Sequence, residues 1–149
     1  MDMKLELVAV PVTDVDRAKR FYVERIGFVA DHDHTVHEGL RFVQLTPPGS
    51  ACSIVLGVGI TEMVPGSQKG LQMVVADAAK AREELLARGA EVSEVDSQPW
   101  GEFVYFADPD GNTWALQQIV IPDLSWRGAL FSAAGSDSET IRARPTLSE

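Results

Sequence analysis

The stretch at positions 31–39, DHDHTVHEG, contains all three histidines of the chain, His32, His34 and His37. Aspartate occupies positions 31 and 33, and glutamate occupies position 38. Imidazole nitrogens and carboxylate oxygens are common ligands of Zn²⁺ and other transition-metal ions, so this spacing could form a metal site. A histidine in a pocket could also act as a general acid or base. Which chemistry is possible depends on the element that carries the stretch.

The rest of the sequence offers few groups for catalysis. Cys52 is the only cysteine, so no internal disulfide can form, and no histidine lies near it in sequence to activate a thiolate. The chain has no glycine-rich phosphate loop, no Gly-x-Ser-x-Gly motif and no Cys-x-x-Cys motif. The sequence therefore assigns no catalytic residue.

The composition is that of an acidic globular protein. The chain has 149 residues, of which 45% are hydrophobic, and a formal net charge of −9 at pH 7. This charge argues against a nucleic-acid or anionic-membrane partner, because phosphate surfaces select for lysine and arginine. The sequence shows no secretory signal pattern and no apolar run of about 18 residues. We therefore expect a cytoplasmic protein with no nucleic-acid or membrane partner.

Two segments of the chain repeat one pattern about 63 residues apart. Residues 5–28 and residues 70–92 each begin with an apolar run typical of a strand, reach an aspartate, and continue through an amphipathic helix to a glycine. Asp14 and Asp77 are expected to cap the helix N-termini. Gly27 and Gly89 are expected to end the helices in the left-handed conformation. The chain thus contains two copies of one supersecondary unit.

A strand, a turn and a second strand follow each helix, at 41–57 and at 102–120, and shorter strands are predicted at about 28–36 and 91–96. Each half therefore has the order β-α-β-β-β. The predicted organisation is a first module at 1–60, a linker at 61–69, a second module at 70–121 and a C-terminal arm at 122–149, on the surface or partly disordered. Because either half alone would be marginally stable, the two should share one core or pair across a dimer.

Three features together resemble one superfamily. They are the Asp-x-x-Arg-Ala-x-x-Phe-Tyr helix at 14–22, the second module, and the Asp-Pro-Asp-Gly-Asn turn at 108–112. In combination they look like the vicinal oxygen chelate superfamily of glyoxalases, bleomycin-resistance proteins and extradiol dioxygenases, over residues 4–121. The resemblance implies an α+β fold in which two βαβββ modules form a cupped mixed sheet.

The same resemblance implies four metal ligands, one on the first and one on the last strand of each module, usually histidine or glutamine, glutamate, histidine and glutamate. Carried over one at a time, the four positions are Leu7, Val55, Leu71 and Ala115. None of these side chains has a nitrogen or oxygen donor, so we predict no metal and no cofactor at the usual site. A register shift of one residue would turn Glu6 and Gln72 inward instead.

Strand alternation predicts the side chains that line the cup. The predicted inward set is Leu5, Leu7, Ala9, Ser53, Val55, Leu71, Met73, Val75, Thr113, Ala115 and Gln117. Trp100 is expected near the rim, where it could stack on a ligand, and Tyr105 could present its hydroxyl inside the pocket. Such a surface suits a small hydrophobic or aromatic molecule. The alternative is that the aliphatic side chains fill the core and that Trp100 covers one end of it.

The leading interpretation is a metal-free, homodimeric protein that binds a small molecule, similar to the sequestering or resistance branch of the superfamily. One alternative is a metal-dependent lyase, isomerase or dioxygenase with a relocated site. Another is a protein-interaction module with a filled cup. His32 and His34 share one face of a strand that is usually a sheet edge, where polar residues prevent edge-to-edge pairing. If that face turned into the cup, the two would become its candidate acid-base or metal-binding groups.

Overall fold

The computed structural model describes residues 1–120, so the predicted C-terminal arm at 122–149 lies outside the described residues. The elements are β1 Leu7–Ala9, α1 Val15–Arg20, a π-helical segment Phe21–Ile26, β2 Val29–His37, β3 Leu40–Thr46, β4 Ser53–Val58, β5 Leu71–Val74, α2 Ala78–Ala87, β6 Asp96–Gln98, β7 Gly101–Ala107 and β8 Thr113–Ile119. Within residues 1–120, no helix is long and apolar enough to span a membrane.

The strands form two mixed sheets of four strands each, in the orders β1-β4-β3-β2 and β5-β8-β7-β6. In both sheets the first strand of the module lies parallel to the last strand, and the other neighbours are antiparallel. A parallel pair needs a long crossover connection, and in each module the connection after the first strand contains the helix. The predicted α+β fold with two βαβββ modules is confirmed.

Both helices begin and end at the predicted residues. The side chains of Asp14 and Asp77 each accept a hydrogen bond of 3.0 Å from the backbone N–H three residues later. These bonds satisfy N–H groups that have no partner within the helix. Gly27 and Gly89 follow with φ values of +95° and +85°, a conformation that favours glycine. The first helix differs from the second in that its C-terminal half, Phe21–Ile26, is π-helical.

The two helices and one face of each sheet enclose a single hydrophobic core. Its members include Val43, Leu45, Ile54 and Leu56 from the first sheet, Val104, Phe106, Trp114 and Leu116 from the second, and Ala18, Tyr22, Ala78 and Leu85 from the helical segments. We call the sheet face that packs on this core the inner face. The opposite face of each sheet, which points away from the helices, is called the cup face.

A buried polar network connects the first module to the turn before β8. Tyr22 donates a hydrogen bond of 2.8 Å from its hydroxyl to Asp108 Oδ2 and accepts one of 2.9 Å from Trp114 Nε1. Asn112 donates from its side-chain amide to Asp108 Oδ2 at 2.7 Å and to the carbonyl of Pro11 at 2.8 Å. Burial, with the nearby Asp108 carboxylate, raises the pKa of Tyr22 far above its usual value. The network therefore holds a phenol, a carboxylate and an amide with partners inside the core.

The exposed edge strand β2 is attached to α1 by charged side chains. Asp33 accepts hydrogen bonds from Lys19 Nζ at 2.8 Å and from Arg41 Nη2 at 2.9 Å, and Arg41 also contacts Asp16 at 2.9 Å. The hydrogen bonds from Arg41, and to a smaller extent the one from Lys19, hold the pKa of Asp33 well below its usual range. Because Asp33 turns toward the helix, its strand neighbours His32 and His34 turn the other way.

The short strand of the second module lies further along the chain than predicted. The repeat predicted a strand at about 91–96, whereas β6 spans Asp96–Gln98. Before β6, Ser93 is hydrogen-bonded to β7 through one backbone and one side-chain contact. The Ser93 N–H donates to the Tyr105 carbonyl, and Ser93 Oγ accepts from the Tyr105 N–H, both at 2.9 Å. A side chain thus replaces part of the backbone ladder there.

Candidate ligand-binding site

The cup face of the second sheet contains a pocket of about 740 Å³. Its lining residues are Gly70, Gln72, Gln98, Trp100, Phe103, Tyr105, Phe106, Ala107, Thr113, Trp114 and Ala115. They come from β5, β7, β8 and the chain around the β6–β7 turn. The volume lies within the range of roughly 300–1,000 Å³ that is typical of small-molecule sites.

One wall of this pocket is aromatic because β7 alternates between the two faces of its sheet. Val104 and Phe106 are part of the core, whereas Phe103 and Tyr105 lie on the cup face. The ring planes of Phe103 and Tyr105 are 9° apart, with centroids 6.1 Å apart. Trp100, in the turn before β7, adds a third ring to the lining. Three aromatic side chains in a concave site favour a flat apolar ligand.

Neutral amides supply polar groups beside the aromatic wall. Gln72 donates from Nε2 to Gln117 Oε1 at 2.6 Å, which leaves the carbonyl oxygen of Gln72 available at the pocket. Gln117 is 1% exposed, and its own amide group lies 3.4 Å from the Trp100 carbonyl. A buried amide that is hydrogen-bonded in this way fixes the orientation of its neighbour. The pair can offer a hydrogen bond to a ligand without adding charge.

A hydrogen-bonded group at the end of the aromatic wall contains a carboxylate. Tyr105 donates from its hydroxyl to Asp96 Oδ2 at 2.8 Å. Gln98 donates from Nε2 to both carboxylate oxygens of Asp96, at 3.1 Å and 3.2 Å. Burial, together with the bond to Asp96, raises the pKa of Tyr105 to about 12. Tyr105 therefore keeps its proton at neutral pH and acts as a donor rather than as a base.

The structure separates the predicted ligand-contacting residues into two groups. Trp100, Tyr105 and Ala115 line the pocket, and Gln117 lies beside them on the same sheet face. Four others lie on the cup face of the first sheet, outside the lining of this pocket: Leu7, Ala9, Ser53 and Val55. Leu5, which was expected to point into the cup, precedes β1 and is 71% exposed.

The predicted orientation of Leu71 and Met73 is wrong. They pair with Trp114 and Leu116 and pack on the core from the inner face, as does Val75, while Gln72 points to the cup face. A shift of one residue turns every side chain of a strand to the opposite face. The spacing of the repeat indicates the correct register of β5. The capping aspartates are 63 residues apart, and the same offset makes Gly70 the equivalent of Leu7. Leu71 is the next residue along and packs on the core.

The three histidines lie on the cup face of the first sheet, away from the core. His32 pairs with Gln44 and His34 with Phe42, and the two imidazole rings are 5.9 Å apart. Bulges at positions 31 and 36 interrupt the strand. All three imidazoles are exposed. In the part of the chain that the structure describes, no group of three or more histidine, cysteine, aspartate or glutamate side chains is arranged to hold a metal ion.

The residues at the four implied ligand positions do not fit a divalent metal. With the corrected register these positions are Leu7, Val55, Gly70 and Ala115, and none has a side-chain donor atom. Zinc and related ions need imidazole nitrogen, thiolate or carboxylate oxygen. The nearest polar group on β5 is the amide of Gln72, which is bonded to Gln117. Chemistry through a metal at this position therefore has no support from the side chains present.

Comparison with known proteins identifies the class to which this fold belongs. Residues 4–116 match the model of the Glyoxalase/Bleomycin resistance protein/Dioxygenase superfamily. The chain belongs to this superfamily, as the helix and turn motifs predicted.

Among solved structures, the chain is similar to TnmS3, an antibiotic binding protein from Streptomyces sp. CB03234, with 36% identity and a TM-score of 0.72 over 80% of this chain and 98% of that one. A glyoxalase/bleomycin resistance protein from the same organism is 38% identical, with a TM-score of 0.68 over 77% of this chain and 100% of the other. The uncharacterized protein YetH of Bacillus subtilis (strain 168) is 30% identical over 122 residues, which are 79% of this chain and 100% of YetH.

Proposed function

We propose that this protein binds a small hydrophobic or aromatic molecule in the pocket of the second sheet and acts by sequestering it. On this proposal the protein is cytoplasmic, needs no metal or other cofactor, and works as a homodimer. Antibiotics are the first candidate ligands, because TnmS3, which is 36% identical, is an antibiotic binding protein. On this proposal the ligand contacts four residues of the predicted set that lie at or beside the pocket, together with two further lining residues. The four are Trp100, Tyr105, Ala115 and Gln117, and the two are Gln72 and Phe103.

The observation that carries the proposal is the chemistry of the pocket lining. The rings of Trp100, Phe103 and Tyr105 provide apolar contact area, and neutral hydrogen-bonding groups come from Gln72 and Gln98. Among the lining residues within positions 1–120, Tyr105 is the only titratable side chain, and its raised pKa keeps it protonated. A general base must be deprotonated near neutral pH to work. The lining is therefore suited to holding a molecule rather than to transferring its protons.

The cup face of the second sheet is open on one side, which supports the proposed homodimer. Val74 and Tyr105 on this face are 65% and 41% exposed. The cup face of the first sheet adds two half-buried apolar side chains, Leu7 and Phe42. Apolar side chains exposed over a concave face are typical of an interface. In a two-fold dimer, the first sheet of one copy could form the second wall of the pocket in the other.

A thermal-shift screen tests the proposal. The purified chain is mixed with hydrophobic antibiotics, planar aromatic compounds and small dicarbonyl compounds, each with and without divalent metals. We expect at least one aromatic compound to raise the unfolding temperature by roughly 5–10 °C at about 100 times its Kd, because ligand binding stabilises only the folded state. The expected shift is the same with added metal and with chelator.

The remaining outcomes of the screen would contradict the proposal in different ways. A shift that requires a metal, or consumption of a dicarbonyl compound, would favour the metal-dependent enzyme. The absence of any shift across the aromatic compounds would favour an interaction module. Light scattering of the same sample measures the mass in solution, and a monomer would contradict the proposed homodimer.

A further inference from the structure

Beside the pocket lies the carboxylate of Asp96, which has no positively charged partner within residues 1–120. Asp96 pairs with Phe103 across β6 and β7, so both side chains lie on the cup face. The ion pairs among residues 1–120 involve Asp16, Asp33 and Asp110, but not Asp96. Its contacts are the Tyr105 hydroxyl and the Gln98 amide, which are both neutral.

The hydrogen-bonding capacity of Asp96 is incompletely used by these contacts. A carboxylate can accept about four hydrogen bonds. Oδ2 accepts from Tyr105 and Gln98, whereas Oδ1 accepts only the 3.1 Å bond from Gln98. Asp96 is not itself a lining residue, but its two donors, Gln98 and Tyr105, both line the pocket and fix the orientation of its carboxylate beside it. Among the contacts within residues 1–120, Asp96 Oδ1 therefore retains acceptor capacity close to the space that a ligand would fill.

The surroundings of Asp96 favour a cation over any other ligand group. The faces of aromatic rings attract positive charge, and Trp100, Phe103 and Tyr105 line the same pocket. Neither lysine nor arginine is among the lining residues in the described part of the chain. The whole chain is also acidic, with a formal net charge of −9. A carboxylate beside aromatic rings is a common way to bind a protonated amine.

We propose that Asp96 makes the pocket selective for aromatic ligands that carry a positive charge, such as a protonated amine or ring nitrogen. The inference rests on the proposed function, because it assigns a ligand class to the same pocket. The aromatic wall stacks on the ring system, and the charged nitrogen donates to Asp96 Oδ1. Neutral aromatic ligands lack this charged contact and are held more weakly.

A matched pair of dyes tests this selectivity. 9-Aminoacridine is a cation under mildly alkaline conditions, whereas acridine has the same three-ring system and is neutral there. Fluorescence titration of each dye gives its Kd for the purified protein, at low and at high salt. We expect 9-aminoacridine to bind about tenfold more tightly than acridine, as a charge-assisted contact in a partly buried site would give.

Two variants with the same change in net charge locate the effect. Asp96→Asn should reduce the preference for the cation to about twofold or less, with acridine binding unchanged. Glu102→Gln is the control, because Glu102 pairs with Ser97 on the opposite face of the same two strands. It should leave the preference intact. If both variants reduced the preference for 9-aminoacridine equally, the preference would come from the overall charge, and the proposal would be overturned.

The remaining outcomes separate this inference from the proposed function. Equal affinity of the wild-type protein for both dyes would overturn the charge selectivity and leave an aromatic-binding pocket. If neither dye bound, the proposed function would lose its support as well. Should Asp96→Asn fail to fold, Tyr105→Phe keeps the test open, because it retains the ring and frees Asp96 Oδ2. The cation preference should then be kept or increased, and its loss would contradict a direct role of Asp96.

Discussion

Replacement of Ala115 by tryptophan is expected to abolish ligand binding while the protein remains folded. Ala115 lies in the lining between β5 and β7, where it pairs with Gln72 on one side and Tyr105 on the other. A tryptophan side chain at this position would project into the pocket and fill the space that the ligand needs. The affinity for the best compound of the screen should fall by at least about 100-fold, since the stacking surface is then covered.

Calorimetric titration of the Ala115→Trp variant measures this loss, and its thermal unfolding measures its stability. The pocket is open, so the larger side chain should cost less than the roughly 1–3 kcal/mol of an overpacked core. Ala79→Trp is the matched control, because Ala79 is exposed on α2. It should bind as the wild type does. An Ala115→Trp variant that kept full affinity would place the ligand elsewhere on the protein.

Replacement of Asp108 by alanine should have the largest effect on stability. Asp108 is 5% exposed and accepts hydrogen bonds from Tyr22, from the Asn112 amide and from two backbone N–H groups of its own turn. The alanine variant would leave several buried donors without a partner, at about 1–3 kcal/mol for each one that water cannot reach. We expect the free energy of unfolding to fall by about 3–5 kcal/mol.

Urea unfolding followed by tryptophan fluorescence measures this difference. Tyr22→Phe, which removes a single hydroxyl from the same network, should cost less, about 1–2 kcal/mol. The control is Asp16→Ala, because its side chain is 66% exposed and forms a surface ion pair with Arg41. Its expected cost is about 1 kcal/mol or less. Equal costs for Asp108→Ala and Asp16→Ala would show that the buried network does not stabilise the fold.

The elements determined by local sequence could be predicted. Asp14 and Asp77 cap their helices because the aspartate side chain reaches free N–H groups within the same turn. Gly27 and Gly89 end the helices because glycine readily adopts positive φ. These signals involve residues close in sequence, and the repeat of the same signals made the two-module fold recognisable.

The orientation of β5 could not be read from its own sequence. Residues 71–75, LQMVV, contain one polar side chain, so alternation alone favours neither face. The parallel pairing with β8 decides which face meets the core, because Leu71 must lie beside Trp114. That pairing joins residues more than forty positions apart. In the sequence, the orientation of β5 is indicated only by the 63-residue spacing between the two modules.

The histidine stretch was correctly predicted to place His32 and His34 on one strand face, but the choice of face depends on distant residues. Asp33 turns to the helix side because Lys19 and Arg41 hold it there. The imidazoles then lie on the cup face of the first sheet, opposite the core. Asp96 was missed for a related reason, since the predicted strand at 91–96 ended where β6 begins.

Calorimetric titration of the best compound of the screen, with the protein as purified and after treatment with chelator, tests the central claim most directly. The claim is that the pocket on the second sheet binds an aromatic molecule without a metal. We expect the same affinity in both titrations, because the four implied ligand positions contain no donor side chain. Loss of binding on chelation, with recovery when one equivalent of a divalent metal is returned, would contradict the claim.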